Sequence, residues 1–137
     1  TALLQWRGSI KEAVSAMLVR ALGENPSTLT VADVLSRGEA VDLAPGIALL
    51  HTHTGEIQER LVLLATGAIA LPDRPAGAPE ARMLICLISP FSEPPEQRLA
   101  MLAGIVRMVQ NGAAMSAIVA ATDRRELSAA LAGTLNP

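Results

Sequence analysis

The residues Met83-Leu84-Ile85-Cys86-Leu87-Ile88 form an apolar run with no polar alternation, and the near-continuous stretch from Arg82 to Ile88 has the length of one strand. A half-solvated strand alternates apolar and polar residues, whereas one without alternation must be covered on both faces, and in a chain this short helices do the covering. The rest of the chain therefore has to supply helices for two sides of a sheet. Ser9 and Glu12 read as a capping box, followed by Ile10, Ala13, Val14, Met17, Leu18 and Ala21 at helical spacing up to Gly23. Asn25-Pro26-Ser27 turns the chain, and Thr30 caps a short second helix, with Val31, Val34 and Leu35 inward, that ends at Arg37-Gly38.

A connection through Asp42 and Pro45 then delivers Gly46-Ile47-Ala48-Leu49-Leu50-His51-Thr52-His53, a second buried strand. Arg60 to Ala65 reads as a third, with a shorter one from Ile69 to Leu71 beyond Thr66-Gly67. Pro72, Pro75, Gly77 and Pro79 mark a loop and not a domain boundary, because apolar structure resumes at once. After Ser89 to Pro95 comes a long helix carrying Leu99, Leu102, Ala103, Val106 and Val109, widened by Met101, Ile105 and Met108, and ending near Asn111-Gly112. So broad a stripe predicts cover on more than one side, by later helices or by a second subunit, and leaves room for a homodimer contact. A helix from Ala113 to about Ala121 and a last one capped by Asp123 and Glu126 complete an α/β sandwich around a small sheet.

At 137 residues, half of them hydrophobic, the chain predicts a single domain over 1–137 with a real core. Eleven Lys and Arg against thirteen Asp and Glu, with no basic run, exclude nucleic acid as the expected partner. The single cysteine, Cys86, lies inside the apolar run and reads as a small buried hydrophobe in a reducing compartment. No apolar stretch approaches the roughly 20 residues that span a bilayer, so the expectation is a soluble cytoplasmic domain. Because the chain opens on Thr1, it reads either as a processed protein or as a fragment of a longer one.

Both histidines of the chain fall within three residues at the end of one strand, and alternation along an extended backbone points them to the same side. Three kinds of site fit such a pair. The simplest is structural hydrogen bonding. A metal held by His51, His53 and Glu56 or Glu59 is a second, but no third histidine is present and zinc sites generally want three or four protein ligands. The third is nucleophilic: a neutral imidazole, with an ordinary pKa of about 6.5, attacks phosphorus through one nitrogen when a hydrogen bond fixes the other. That chemistry needs cations for the phosphoryl oxygens, and the fork of an arginine suits it. Arg37 before the strand and Arg98 at the start of the long helix are the candidates.

The motif Gly46-Ile47-Ala48-Leu49-Leu50-His51 resembles the phosphohistidine strand of the fructose/mannitol-type IIA domains of the bacterial sugar phosphotransferase system, a family that includes nitrogen-regulatory members. That family reads Gly-(Ile/Val)-Ala-(Ile/Leu)-Pro-His. The likeness runs from about Ser9 to Leu131 and takes in the leading helix, the short helix ending at Arg37, the strands and proline loop, Ile88-Ser89-Pro90, Arg98-Leu99 and the closing Thr122 to Leu127. It implies a mixed sheet flanked by helices on both faces. His51 would accept a phosphoryl group from a histidine-phosphorylated carrier protein and pass it to a sugar permease domain, or use it as a signal. Arg37 is the nearest counterpart of the arginine that the family carries before the motif; with Arg98, and with His53, which lies outside the family's pattern, it completes the expected phosphate-binding set, and no metal or organic cofactor is needed. Two positions depart from the pattern: Leu50 stands where the family has proline, and Arg98 where many relatives have a second histidine. The alternative they raise is a degenerate regulatory or interaction module that keeps the architecture without phosphotransfer, for instance as the cytosolic part of a transporter.

Overall fold

The computed structural model describes residues 2–22, 39–55, 59–70 and 81–135. The predicted helix from Thr30 to Arg37, Arg37 itself, Glu56 and the proline loop lie outside these residues. Five strands form one sheet: β1 (Ala2–Ser9), β2 (Glu39–Ala44), β3 (Ile47–Thr54), β4 (Leu61–Ala70) and β5 (Ala81–Pro90), in the order β1-β4-β5-β3-β2. The pairs β1/β4 and β3/β5 are parallel and β4/β5 and β2/β3 antiparallel, so the sheet is mixed. The helices among the described residues are α1 (Ile10–Leu22), α2 (Pro95–Gln110), α3 (Gly112–Ala120) and α4 (Arg124–Leu135).

The uninterrupted apolar strand is the centre of the sheet, and every residue from Met83 to Ile88 is at most 2% exposed. Its side chains alternate between two cores. Leu84, Cys86 and Ile88 join Ala48, Leu50 and Leu63 under Ala13, Val14, Met17 and Leu18 of α1. Met83, Ile85 and Leu87 join Ile47, Leu49 and Leu64 under Ile105, Met115, Ile118 and Leu127 of α2, α3 and α4. Burial pushes the Cys86 thiol up to about 12, as fits a side chain acting as a hydrocarbon.

Local chemistry sets the helix ends. Ser9 Oγ accepts from Glu12 N at 3.2 Å, and Asp123 Oδ1 from Glu126 N at 2.8 Å. Asn111 both ends α2 and caps α3, its Oδ1 accepting from Ala114 N at 3.1 Å, and the two helices meet there at a bend of 88°. No single helix among the described residues is long and apolar enough to cross a membrane.

Three elements differ from the sequence expectation. Residues Ala2–Ser9 form an edge strand whose period-two pattern is broken by an irregularity between Leu3 and Trp6, where Gln5 takes a positive φ of 54°. The Gln5 side chain then donates to the Val119 and Ala121 carbonyls, both at 3.0 Å, and ties off the end of α3. The connection through Asp42 is strand β2, joined to β3 across Pro45-Gly46, where Gly46 has φ +80° as a turn of this residue order requires. Thr66-Gly67 is no turn between two strands but a bulge within one, β4, at which the Trp6 backbone comes so close to Gly67 that a Cβ would lie 1.8 Å from its carbonyl oxygen.

Candidate functional site

On the face covered by α2, α3 and α4, the apolar rows give out at one end of the sheet. On β3 the row Ile47, Leu49 continues as His51 and His53; on β5 the row Met83, Ile85, Leu87 continues as Ser89. On β4 the row Leu64, Val62 runs back towards Arg60, just before the strand begins. His51 lies opposite Leu87 and His53 opposite Ser89, so the polar residues form a second ring beyond the hydrophobic one. The sheet thus brings Ser89 of β5 beside residues of β3 and the start of β4 that lie some thirty positions earlier in the chain.

The chain leaves β5 at Pro90 and enters α2 at Pro95, within four intervening residues. That short link is pinned at both ends: Phe91 N donates to Thr54 O at 3.1 Å, and Glu93 N to Pro90 O at 3.1 Å. Proline at the first helical position pre-sets the entry backbone, so the first turn of α2 is held over the ring. Arg98 projects from that turn, and its Nη1 meets Nε2 of His53.

The two imidazoles are close neighbours, with centroids 4.7 Å apart and planes tilted by 54°. Burial first, and then His53 and the Arg98 guanidinium, push His51 below its ordinary pKa of 6.5, while Glu93 pulls the other way. At neutral pH His51 is therefore an uncharged ring with one free electron pair. Its Nε2 is buried and has no hydrogen-bond partner among the described residues.

Glu93 is the acid of the cluster, its side chain only 5% exposed. Oε1 accepts from both Nε and Nη2 of Arg60. Burial works against its charge, but the Arg60 hydrogen bond, the nearby Ser89 hydroxyl and the charges of Arg60 and Arg98 together hold the carboxyl below its usual value. Ser89 Oγ and Glu93 Oε2 are both buried without a partner of good hydrogen-bond geometry, so the Ser89 contribution is one of proximity more than of a formed bond.

The predicted residues His51, His53 and Arg98 are thus brought together, and Arg37 lies outside the described residues. Glu93, Arg60 and Ser89 are the members that sequence reasoning missed. Arg60 and Glu93 are 33 residues apart, and no local spacing signals such a pair. The one usable hint is the strand alternation Leu64, Val62, Arg60, which places Arg60 on the histidine face.

Leu50, at the position of the expected proline, points to the opposite face and is 2% exposed within the α1 core. It pairs with Ala40 on one side and Cys86 on the other, so two neighbouring strands fix the backbone that a proline ring would otherwise fix. For the metal alternative, the described residues contain no group of three or more His, Cys, Asp or Glu side chains placed to share an ion, and Glu59 is exposed.

No family model matches this sequence, and no curated protein matches it. Among solved structures, the chain is similar to the nitrogen regulatory protein IIA-Ntr from Neisseria meningitidis, with a TM-score of 0.68 over 95% of this chain and 91% of that one. The identity is 18%, so what the two share is the fold, a IIA-Ntr-like mixed sheet between helical layers.

Proposed function

We propose that this domain is a phosphoryl carrier of the IIA type, in which His51 accepts a phosphoryl group from a histidine-phosphorylated carrier protein. It then delivers the group to a permease domain or uses it as a regulatory signal, as the name of its nitrogen-regulatory structural neighbour suggests. The observation that carries this reading is the convergence of Arg98 on the His51/His53 pair at the end of an otherwise apolar strand. A neutral imidazole supplies the nucleophile, a guanidinium supplies charge for the phosphoryl oxygens, and Glu93, the acid among the described residues of the cluster, is already neutralised by Arg60. Arg37 is proposed as a second clamp. Phe91 on the link and Leu99 next to Arg98 in the chain are 70% and 65% exposed and offer apolar surface that a protein partner covers. The setting proposed for such a relay is the cytoplasm.

The test is incubation with a histidine-phosphorylated carrier protein that is active on a IIA-Ntr protein. An acid-labile mass gain of one phosphoryl group, lost in His51→Ala, is expected. A second reading has its own observation: His51 Nε2 is covered, as befits a module that keeps the fold for protein contacts and transfers nothing. No mass gain with several active donors, together with retained binding to them, would establish that reading in place of the first.

A further inference from the structure

Two histidines at one site pose a problem of selection, because a reagent that reaches one ring is a few ångströms from the other. Their centroids are 4.7 Å apart and both emerge on one face of β3. Two things distinguish them: Nε2 of His51 is buried, which by itself would favour His53 as the acceptor, and Arg98 meets His53. A guanidinium has only donors, so the His53 nitrogen it meets, Nε2, must be the one bearing the lone pair, and the ring proton lies on Nδ1. The corresponding nitrogen of His51 is engaged by nothing among the described residues. Glu93 does not compete for Arg98 by direct pairing, because the ion pair it forms among the described residues is with Arg60.

We infer that Arg98 and His53 act together as a selector: Arg98 occupies the electron pair of His53 and so confines phosphoryl acceptance to His51, while His53 holds the guanidinium beside the reacting ring. His53 is thereby a positioning residue that works through Arg98 and is not itself an acceptor. The natural donor in this scheme rests on the phosphoryl-carrier reading, but the masking of His53 does not. In the transfer, the donor N–P bond breaks as the His51 N–P bond forms, and the electron pair of the broken bond stays on the donor nitrogen. The proton that His51 gives up from its ring is matched by the one that the donor ring regains. His53 cannot enter this exchange while its attacking pair is spent on Arg98.

Phosphoramidate, a small donor that needs no partner protein, tests the selection directly. It transfers its phosphoryl group to a ring nitrogen and leaves as ammonia with the ring proton, and peptide mapping under alkaline conditions locates the label. In the wild type, label on His51 is expected to exceed that on His53 by about tenfold to a hundredfold, the weight of one charge-assisted hydrogen bond. In Arg98→Ala the His53 share should rise towards parity. Nitrogen NMR of the wild type should show His53 as the Nδ1–H tautomer, shifting towards Nε2–H in Arg98→Ala.

Equal labelling of the two rings in the wild type overturns the inference, as does an Nε2-protonated His53. If the reagent labels neither ring, or the variant fails to fold, the wild-type tautomer decides alone. Selective phosphoramidate labelling of His51 without labelling by carrier proteins sinks the proposed function and leaves the selector standing. Carrier labelling of both rings does the reverse.

Discussion

The two faces of the sheet are built differently. On one, α1 is the only helix among the described residues, and its Ala13, Val14, Met17 and Leu18 are at most 2% exposed over a layer that includes Leu50, Leu63, Leu84 and Cys86. On the other, three helices cover the same strands less completely. Only Ile105 of α2 is buried, Leu99 and Val106 point outward, and an apolar cleft of about 960 Å³ opens between α2 and α4 above Val62, Leu64 and Ile85. The broad apolar stripe of α2 thus divides into an inner part, Met101, Leu102, Ile105, Met108 and Val109, and an outer part that no described residue covers. The histidine ring sits at the end of this looser face. A close-packed layer resists change of shape, whereas the looser face is held at its Arg98 end by the pinned link from β5 into α2.

The largest expected effect tests that contrast by truncation. Met17→Ala should cost about 2–5 kcal/mol in urea denaturation, the usual range for a fully buried methionine, whereas Met101→Ala should cost less than about 1 kcal/mol. Equal losses would mean that the two faces are packed alike. Next comes Asp123→Ala, which removes the cap of α4 and should cost about 1 kcal/mol, the usual weight of one N-cap hydrogen bond.

A pH effect confined to the site follows. His51 titrates lower when folded than its ordinary 6.5, so below that value the unfolded chain binds the extra proton more readily. The stability that this contributes is fully present above pH 6.5 and is lost as pH falls from there towards the lowered value. His51→Gln should flatten the slope in that window, read as the urea midpoint against pH; an unchanged slope would mean that the ring is not desolvated. Glu93, held low, adds stability present above the ordinary carboxylate value and lost in more acid solution, and Glu93→Gln should remove that second slope. The smallest effect is Val106→Ser on the outer side of α2, expected to lie within about 0.5 kcal/mol of the wild type.

Much of the architecture is legible in the residues. The unbroken run at Met83 to Ile88, the capping pairs at Ser9 and Asp123 and the paired histidines all act over a few residues, and each appears where its local pattern places it. The edge strand β1 was hidden because its bulge at Gln5 destroys the alternation, and β2 because an edge strand needs only a hairpin partner and no apolar run. Of the site, His51, His53 and Arg98 were readable from residue type and order. Glu93 and Arg60 were not, since nothing near either residue demands the other.

The sequence by itself determined that the Arg82 to Ile88 strand is covered on both faces and that two imidazoles leave one face of a single strand, because both follow from the period of two residues along an extended chain. Only the tertiary structure decided that Arg98 meets His53 and that Arg60 neutralises Glu93. Those contacts depend on the order of strands in the sheet and on where a proline-initiated helix starts above it. Such distances are set by the packing of whole elements and are recorded in no local pattern.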